Sequence, residues 1–509
     1  MEFAETKSKQ RKVLSMIQSI LHFIENDTKI FNKVIEELLE GKKDTADLSN
    51  TVVESCLKLA ANLVGEIYEG IDAEIKDSII RKQKYYVEKK DETKSILDVM
   101  GMVEFKRTGY VDKVTGEYVY LLDQVLGLDN HQRITMAAAA EILEETIESS
   151  YAKGGRALKN SVDNTSKQAV KRLVHDTIIE MPVKELEKKK KFKCLHIVAD
   201  EDHVAAQFWN EKGDLKENSA GQKINTIMPK LICLYEDVID EGKEDSGNHR
   251  YRLIGKHYFC GTYKGTKNNY KLWQEVNEYI EATYDTKVLE RVYIAGDGAS
   301  WIRAGCEVLE NSRFVLDKYH MMKYINASTT HLLDSIEEVK EEIWESINSA
   351  NKGRLRDIYG QILAVTEEGN KYEEVRGALR YLLNQWDGVK IRVEESQWSW
   401  KCCAEGQISH VLSSRMSSRP MGWSELGCDQ MAKFRAYNYN GGKIIDLLRY
   451  QKEKQSQEEK RKEQEELIQE LRKSQARGKY QEALQASIPG IEASMMRGVK
   501  RFVSQTYTA

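Results

Sequence analysis

Proline is scarce in this sequence, with only 4 among 509 residues. Because proline makes up about 5% of an average protein and interrupts helices, its scarcity favours long, unbroken helices. No apolar run approaches the roughly 20 residues that a membrane-spanning helix needs. The first five residues, MEFAE, also lack the basic and then apolar layout of a secretion signal. These absences predict a helix-rich protein of the cytoplasm that has no membrane partner.

Paired cysteines and an excess of basic charge are missing as well. None of the 8 cysteines forms a C-x-x-C pair, which argues against a cysteine zinc site or a disulfide framework and predicts reduced thiols. The formal net charge is −4 and the isoelectric point is about 6.3. Any contact with nucleic acid must therefore depend on local clusters of basic residues.

The N-terminal part of the sequence is typical of helices followed by a small hairpin. Apolar residues recur at helical spacing through residues 1–95, which predicts a helical packing or oligomerisation module. Residues 96–190 begin with aromatic and β-branched residues on both sides of Asp112–Gly116, a stretch that predicts a hairpin turn.

A helix-turn-helix that binds DNA is predicted within residues 131–176. Its elements are a helix, a glycine-bearing turn and a capped helix: Ala137–Ser150, Tyr151–Gly155 and Asn164–His175. The last helix carries the basic residues Lys167, Lys171 and Arg172. Such helix pairs are also common in protein cores. The lysine-rich run at residues 184–193 is typical of a solvated linker, and beside a DNA site it would also bind phosphates.

From residue 191 the pattern changes to strands. The predicted strands are Cys194–Ala199, Ile227–Tyr235, Tyr251–Thr262, 291–295 and Arg313–Leu316, with a polar loop at Glu236–Arg250. The predicted helices are Asn269–Ala282 and Ser300–Leu309. Three antiparallel strands followed by helix, strand, helix and strand is the order of the ribonuclease-H-like fold.

The predicted fold class is therefore an α/β ribonuclease-H-like core in two parts, residues 191–317 and 396–443. A large all-helical insertion at residues 318–395 separates these parts. In the second part, Cys402–Met416 predicts a helix that returns to the sheet. The mostly helical N-terminal region precedes this core, and a charged helical tail at residues 444–509 follows it.

Three carboxylates fall at meeting points of this predicted fold. Asp200 ends the first strand, Asp297 ends the fourth between two glycines, and Glu405 lies on the helix after the fifth. Such acids can hold two Mg²⁺ (or Mn²⁺) ions roughly 3.5–4 Å apart for phosphoryl transfer, since hard cations prefer oxygen ligands. Each acid alone is equally typical of a cap or a surface residue. Asp202 and His203 leave the first acid ambiguous, and Asp200 is preferred because it directly follows the apolar run.

Four segments resemble motifs of known transposases. They are A-D-E-D-H-V at 199–204, G-D-G-A-S-W-I at 296–302, L-D-K-Y-H at 316–320, and A-E-G-Q-I-S-H-V-L-S-S-R-M-S-S-R-P-M-G-W at 404–423. The chain is similar to bacterial insertion-sequence transposases of the DDE class, in particular the ISLre group, and shares features with the Mutator-like superfamily. The resemblance covers nearly the whole chain, and the last motif is the most specific. It implies that Asp200, Asp297 and Glu405 form the catalytic, metal-binding triad.

The pair Asp317-x-x-His320 resembles the signature that opens the helical insertion in related transposases. This resemblance implies that His320 orders the site or contacts DNA, although a single histidine after a strand is often structural. Trp301 and Trp423 would stack on a flipped base near the cut, or else belong to the core.

Arg415 and Arg419 flank two serines just beyond Glu405. Because arginine pairs bidentately with phosphate, both are predicted to contact the DNA backbone. The alternative is that they form ion pairs with the insertion.

The predicted function is DNA transposition. The protein would bind the terminal inverted repeats of an element, nick them by metal-assisted hydrolysis and join the 3′-ends to target DNA. Its partners would be double-stranded DNA and further copies of this chain, since two element ends must be processed together. One alternative is another two-metal nuclease of this fold, such as a junction resolvase or repair nuclease. The other is a non-catalytic DNA-binding or scaffolding protein.

Overall fold

The computed structural model describes residues 18–458, apart from residues 130, 159–164, 181–182, 209–210, 212–213, 215, 218–220, 222, 244–248, 398–403 and 420. Asn164, Cys402 and the predicted tail from residue 459 onward therefore lie outside the described residues. Residues 444–458 are helical, as predicted. Within the described part of the chain, no helix is both long and apolar enough to cross a membrane.

A helical hairpin opens the N-terminal module. A π-helical turn at Phe23–Asp27 is followed by three helices: α1 (Thr28–Leu39), α2 (Thr45–Asp77) and α3 (Ile79–Lys84). Helix α2 is capped by Asp44, whose carboxylate accepts hydrogen bonds from two backbone N–H groups of the first turn. At Gly65, α2 comes so close to the Glu104 carbonyl group that a Cβ would lie 2.5 Å from its oxygen.

The helical prediction for residues 1–95 extends too far, because a strand begins at Tyr85. Strands β1 (Tyr85–Asp98) and β2 (Gly101–Asp112) form a long antiparallel hairpin, and β3 (Tyr118–Val119) pairs with β2. The predicted turn at Asp112–Gly116 joins β2 to β3. The charged run K-K-D-E at residues 89–92 is not typical of a strand. These residues are mostly exposed where a bulge interrupts the pairing, so the sequence does not predict the longer hairpin.

The predicted helix-turn-helix region forms a three-helix unit. After α4 (Leu121–Leu126), its helices are α5 (Met136–Glu148), α6 (Tyr151–Gly154) and α7 (Lys167–Asp176). Helix α7 begins after Ser166, whose hydroxyl accepts a hydrogen bond from the Ala169 N–H, so Ser166 and not Thr165 is the cap. The three-helix unit shares one buried core with the end of β1, which consists of Leu97, Ala138, Ile142, Leu158 and Val170.

A five-stranded mixed sheet lies at the centre of the core. Its strands are β4 (Cys194–Glu201), β9 (Lys230–Tyr235), β12 (His257–Gly261), β13 (Arg291–Gly296) and β14 (Ser312–Leu316). Their spatial order is β12-β9-β4-β13-β14. The first three pair antiparallel, whereas β13 is parallel to both β4 and β14. Four two-residue strands lie between β4 and β9: β5 (Val204–Ala205), β6 (Lys216–Glu217), β7 (Lys223–Ile224) and β8 (Thr226–Ile227).

The predicted polar loop at Glu236–Arg250 is wrong. This segment holds most of an antiparallel hairpin formed by β10 (Asp237–Lys243) and β11 (His249–Ile254). The sequence does not predict this hairpin, because its strands are mostly exposed and rich in charged residues, with few apolar ones. The predicted strand Tyr251–Thr262 is in fact two strands, which are separated at Gly255, where φ is +59°.

One face of the sheet is apolar and is continuous with the helical insertion. It is covered by α8 (Gly265–Thr283), α9 (Ser300–Arg303) and α10 (Gly305–Val308). The insertion contains a 3₁₀ turn at Leu333–Ser335 and five helices: α11 (Lys318–Thr329), α12 (Ile336–Asn348), α13 (Lys352–Val365), α14 (Asn370–Asn384) and α15 (Trp386–Glu394). Gly388 of α15 lies directly against β14, where a Cβ would meet the Leu316 backbone nitrogen at 2.9 Å.

The opposite face of the sheet is covered by two helical segments. The first, named here the Glu405 helix, comprises α16 (Ala404–Ile408), a π-helical turn at Ser409–Ser413 and α17 (Ser414–Met416). The second is α18 (Glu425–Tyr439), which packs along the edge strand β12. Just beyond α18, the Asn440 side chain accepts a hydrogen bond from the Tyr258 N–H and donates one to the Tyr258 carbonyl oxygen, each at 2.8 Å.

Candidate active site

The register of the sheet places Asp200 and Asp297 side by side. Ala295 of β13 pairs with Val198 of β4, so two residues further along each strand Asp297 lies beside Asp200. Gly296 permits this close approach, because a Cβ at this residue would lie 2.8 Å from the Ala199 carbonyl oxygen. The first two acids predicted from the sequence therefore meet at the carboxyl ends of two parallel strands.

The turn that carries Asp297 is fixed from both sides. Within the turn, the Asp297 carboxylate accepts a hydrogen bond of 2.8 Å from the Ala299 N–H. From the insertion, the Tyr381 hydroxyl donates to the Asp297 carbonyl oxygen at 2.6 Å. Gly298 has φ +89°, and a Cβ there would overlap the Gln385 side chain. Glycine is thus required at residue 298 by both conformation and space.

The Glu405 helix brings the third acid to the sheet face on which Asp200 lies. Glu405 is exposed in the first turn of this helix. Two residues further along, Gln407 accepts a hydrogen bond of 2.7 Å from the Tyr258 hydroxyl. Strand pairing through Cys233 places Tyr258 on the same face as Val198 and Asp200.

The three carboxylates lie close enough to influence one another. The pKa of Asp200 is raised to about 6, chiefly by burial and also by the negative charges of Asp297 and Glu405. The Glu201 N–H, which donates to Asp200 at 2.8 Å, and the nearby His320 oppose this rise. A buried carboxylate surrounded by like charges is an environment that a cation would relieve.

The residues fit a hard divalent cation in donor type and charge. Asp200 is 8% exposed, and all three acids offer oxygen ligands. In the described residues, however, no group of three His, Cys, Asp or Glu side chains is close enough together to hold a metal ion. The acids would therefore have to close around an ion by side-chain rotation.

The ambiguity between Asp200 and Asp202 is reduced by their contacts. Asp202 is buried, and both of its carboxylate oxygens accept the Ser417 hydroxyl, at 2.8 and 3.1 Å. This contact ties Asp202 to the segment that follows the Glu405 helix. Asp202 therefore has a structural partner, whereas Asp200 faces the other two acids.

Asp317 and His320 lie next to the acids, at the start of the insertion. Asp317 is buried, caps α11 through the Tyr319 N–H at 3.0 Å, and lies 3.4 Å from His320 Nδ1. This separation is long for a hydrogen bond, so the contact is better described as an ion pair. Burial lowers the pKa of His320, but Asp317 and the charges of Asp200 and Asp297 outweigh burial, and the pKa is raised.

The residues predicted to bind DNA differ in exposure. Lys167, Arg172 and Arg419 are exposed, and Lys171 is half-buried. Arg415 does not fit the predicted phosphate contact, because it is buried, donates to the Thr146 carbonyl oxygen and lies over the Trp423 ring. Burial also lowers the pKa of Arg415 to about 10.

Both tryptophans considered for base stacking belong to the core. Trp301 and Trp423 are 5% and 6% exposed. The Trp423 indole donates to the Met416 carbonyl oxygen at 3.0 Å, and its backbone pairs with Ala206 next to β5. Neither ring is available to stack on a base.

Two residues at the site were missed in the sequence. Tyr381 holds the Asp297 turn, and Arg435 of α18 contacts the Glu405 helix. Arg435 leaves a signal, since it lies in the otherwise largely apolar stretch M-A-K-F-R-A and is 1% exposed. No feature of the sequence marks Tyr381, because it is an ordinary aromatic residue on an amphipathic helix.

A family model and several relatives match this chain. The model described as uncharacterised protein family UPF0236 matches residues 38–456. Two UPF0236 proteins of Caldanaerobacter subterraneus subsp. tengcongensis are each 34% identical over 433 residues, which is 85% of this chain and 85% of each relative. A third, from the same organism, is 34% identical over 433 residues and 80% of its length.

Among solved structures, the Drosophila P element transposase strand transfer complex is similar with a TM-score of 0.22 and 10% identity. The match covers 65% of this chain and 84% of that chain. A TM-score this low does not establish a shared fold.

Proposed function

This chain belongs to the uncharacterised protein family UPF0236, and we propose that it is a DDE transposase that cleaves and joins DNA. The observation that carries the proposal is the strand register that brings Asp297 beside Asp200, with Glu405 on the same sheet face. The sheet order supports it, since three antiparallel strands followed by two parallel ones is the order of the ribonuclease-H-like fold.

Asp200, Asp297 and Glu405 would hold Mg²⁺ or Mn²⁺, expected as two ions. When bound, such ions activate a water or a 3′-hydroxyl and stabilise the oxygen that leaves the phosphorus. Burial of Asp200 keeps solvent from screening its charge, which strengthens its attraction for a cation. Hydrogen bonds to Ala299 and Tyr381 fix the turn that carries the second acid, Asp297.

The neighbouring pair Asp317 and His320 would orient the DNA at the acids. Asp317 and the nearby carboxylates raise the pKa of His320 and so favour its protonated form beside the acids. A cationic imidazole can pair with a phosphate of the strand to be cut.

Basic residues outside the acids would hold the element ends. Lys167, Lys171 and Arg172 of α7 and Arg419 beyond the Glu405 helix are proposed to contact phosphates of double-stranded DNA. A second copy of the chain is expected, since two ends must be joined. A location in the bacterial cytoplasm, on the nucleoid, remains a prediction.

The test is cleavage of a duplex that carries the DNA flanking the gene, with Mg²⁺ or Mn²⁺ added. Wild type should nick at one 3′-end. Glu405→Gln removes one proposed metal ligand and should lower the rate at least about a hundredfold, where each factor of ten corresponds to about 1.4 kcal/mol of transition-state stabilisation. Glu337→Gln removes an exposed carboxylate of the insertion and serves as the matched control.

Three outcomes would count against the proposal. Nicking that persists in Glu405→Gln would place the third ligand elsewhere. Nicking without strand transfer to target DNA would favour a nuclease of the same fold. DNA binding without nicking by the wild type would favour a non-catalytic DNA-binding protein.

A further inference from the structure

A buried arginine joins three helices behind the proposed active site. Arg435 of α18 is 1% exposed, and its guanidinium contacts both the Glu405 helix and the end of α5. On the Glu405 helix it donates to the carbonyl oxygens of His410 (2.9 Å) and Val411 and to the Ser414 hydroxyl (3.0 Å). On α5 it donates to the Ile147 carbonyl oxygen at 2.9 Å and to Glu148 Oε2 at 3.1 Å.

Three of the acceptors are backbone carbonyl groups that lie where regular helical hydrogen bonding ends or is interrupted. Helix α5 ends at Glu148, so the Ile147 carbonyl group has no partner in a further turn. The π-helical turn at Ser409–Ser413 interrupts the regular pattern of the Glu405 helix, which leaves backbone oxygens of that turn for Arg435. The planar guanidinium, with donors on several sides, is suited to bridging such oxygens on two helices.

A second buried arginine holds the same end of α5. Arg415, on the Glu405 helix, donates to the Thr146 carbonyl oxygen at 3.3 Å. Helix α5 has no basic residue in its last turn, so the two arginines supply the positive charge that the helix C-terminus favours. The end of α5 is therefore joined to the Glu405 helix from two directions.

These contacts link the predicted DNA-binding unit to the third acid. Helices α5 and α7 share one core through Ile142 and Val170, and α7 carries the proposed phosphate contacts. Glu405 lies five residues before His410, about 8 Å along the helix at 1.5 Å per residue. A displacement of α5 relative to the Glu405 helix would therefore move the bound DNA relative to the acids.

We propose that Arg435 is a positioning residue that sets which phosphate is cut, by fixing the three-helix unit relative to Glu405. This inference rests on the proposed function. Successive nucleotides of one strand are separated by about 3.4 Å along the duplex, so a shift of this size moves the cut by one nucleotide. A residue with a merely structural role would change stability or rate and leave the position of the cut unchanged.

The experiment maps nicks on an end-labelled element duplex, using the full chain with Mg²⁺. Arg435→Lys keeps the positive charge but cannot bridge both helices. It should bind the element end within about threefold of wild type, because the phosphate contacts on α7 remain. Its nicks should spread over neighbouring nucleotides, and the fraction at the wild-type position should fall by at least half.

Arg107→Lys is the matched control. Arg107 is also a poorly exposed arginine, pairs with Asp123 and lies over the Tyr120 ring, but it belongs to the N-terminal module. This variant should lose stability in a thermal unfolding measurement and still nick at the wild-type position. If Arg435→Lys does not fold, Arg415→Lys tests the same joint, since it removes the second arginine from the end of α5.

The experiment separates the positioning role of Arg435 from the proposed function. If the wild type nicks at one position and Arg435→Lys nicks there too, with only its rate or stability changed, the positioning role is wrong and the proposed function stands. If the wild type does not nick the duplex, the proposed function fails and the positioning role fails with it.

Discussion

The two faces of the central sheet are built differently. The face under α8 is a continuous apolar core that extends into the insertion, with Trp273 and Leu195 fully buried. The face under the Glu405 helix carries directed polar contacts, such as Tyr258 to Gln407, Ser417 to Asp202 and the Arg435 bridge. Apolar burial stabilises without fixing direction, whereas hydrogen bonds fix distances and angles. We conclude that apolar burial stabilises both faces, since Val411, Leu412 and Phe434 are buried as well, and that the second face adds the polar contacts that hold the Glu405 helix in place.

The largest effect on stability is expected from the apolar face. Trp273 is fully buried, packs against Gly305 and donates to the Trp301 carbonyl oxygen at 2.7 Å. Trp273→Ala should lower the free energy of unfolding by about 3–5 kcal/mol, measured by denaturant titration. Leu426→Ala, at a half-exposed residue, should change it by less than about 0.5 kcal/mol. Equal effects of the two variants would contradict the assignment of Trp273 to the main apolar core.

Acid sensitivity tests a buried titrating group beneath the polar face. His196 is stacked between Tyr235 and Tyr293, and burial lowers its pKa to about 4. In the unfolded chain, His196 takes up a proton near pH 6.5, whereas in the folded chain it does so only near pH 4. The neutral, buried His196 therefore contributes fully to the free energy of unfolding above pH 6.5, and this contribution is lost as the pH falls toward 4. The loss is on the order of 3 kcal/mol.

His196→Phe keeps an aromatic ring in the stack and removes this proton. The slope of unfolding free energy against pH should therefore decrease by one proton between pH 6.5 and 4. His257 has a pKa lowered to about 4 as well, so a slope from this second histidine should remain. An unchanged slope would show that the pKa of His196 is not lowered in the folded state.

Substitutions at two glycines near the acids should have opposite effects on stability and different effects on cleavage. Gly298→Ala forces a side chain into a positive-φ position and against Gln385, so it should displace Asp297, cost about 1–2 kcal/mol and lower cleavage sharply. Gly406, next to Glu405 on the helix, has open space around it. Gly406→Ala should stabilise by about 0.5–1 kcal/mol and leave cleavage intact. Thermal melts and nicking rates of both variants decide whether the Asp297 turn has the proposed role.

A small loss of stability is expected at Ser417. Ser417→Ala leaves the buried Asp202 carboxylate without its hydroxyl donor and should cost about 1 kcal/mol of stability, measured in urea. Metal affinity should stay at the wild-type value, since Asp202 is assigned a structural role. A lower metal affinity in this variant would return Asp202 to the list of ligands.

Much of the core was predictable because apolar runs end in acids at Asp200 and Asp297, and strand order then brings those ends together. The hairpin of β1 and β2 was not, because its exposed residues 89–92 are charged and the alternation is interrupted by a bulge. Arg415 was misread for a different reason. Most of its neighbours in sequence are serines, and only the packing of α5 against the Glu405 helix shows that its guanidinium is buried.

The most direct test of the central claim is Mn²⁺ binding, measured by calorimetry or by electron paramagnetic resonance. Wild type should bind Mn²⁺, and Asp200→Asn, Asp297→Asn and Glu405→Gln should each weaken binding at least about tenfold, or 1.4 kcal/mol. Asp202→Asn, the same change two residues from Asp200, should bind as wild type does. Binding that is unchanged in all three triad variants would contradict the claim that these acids form one metal site.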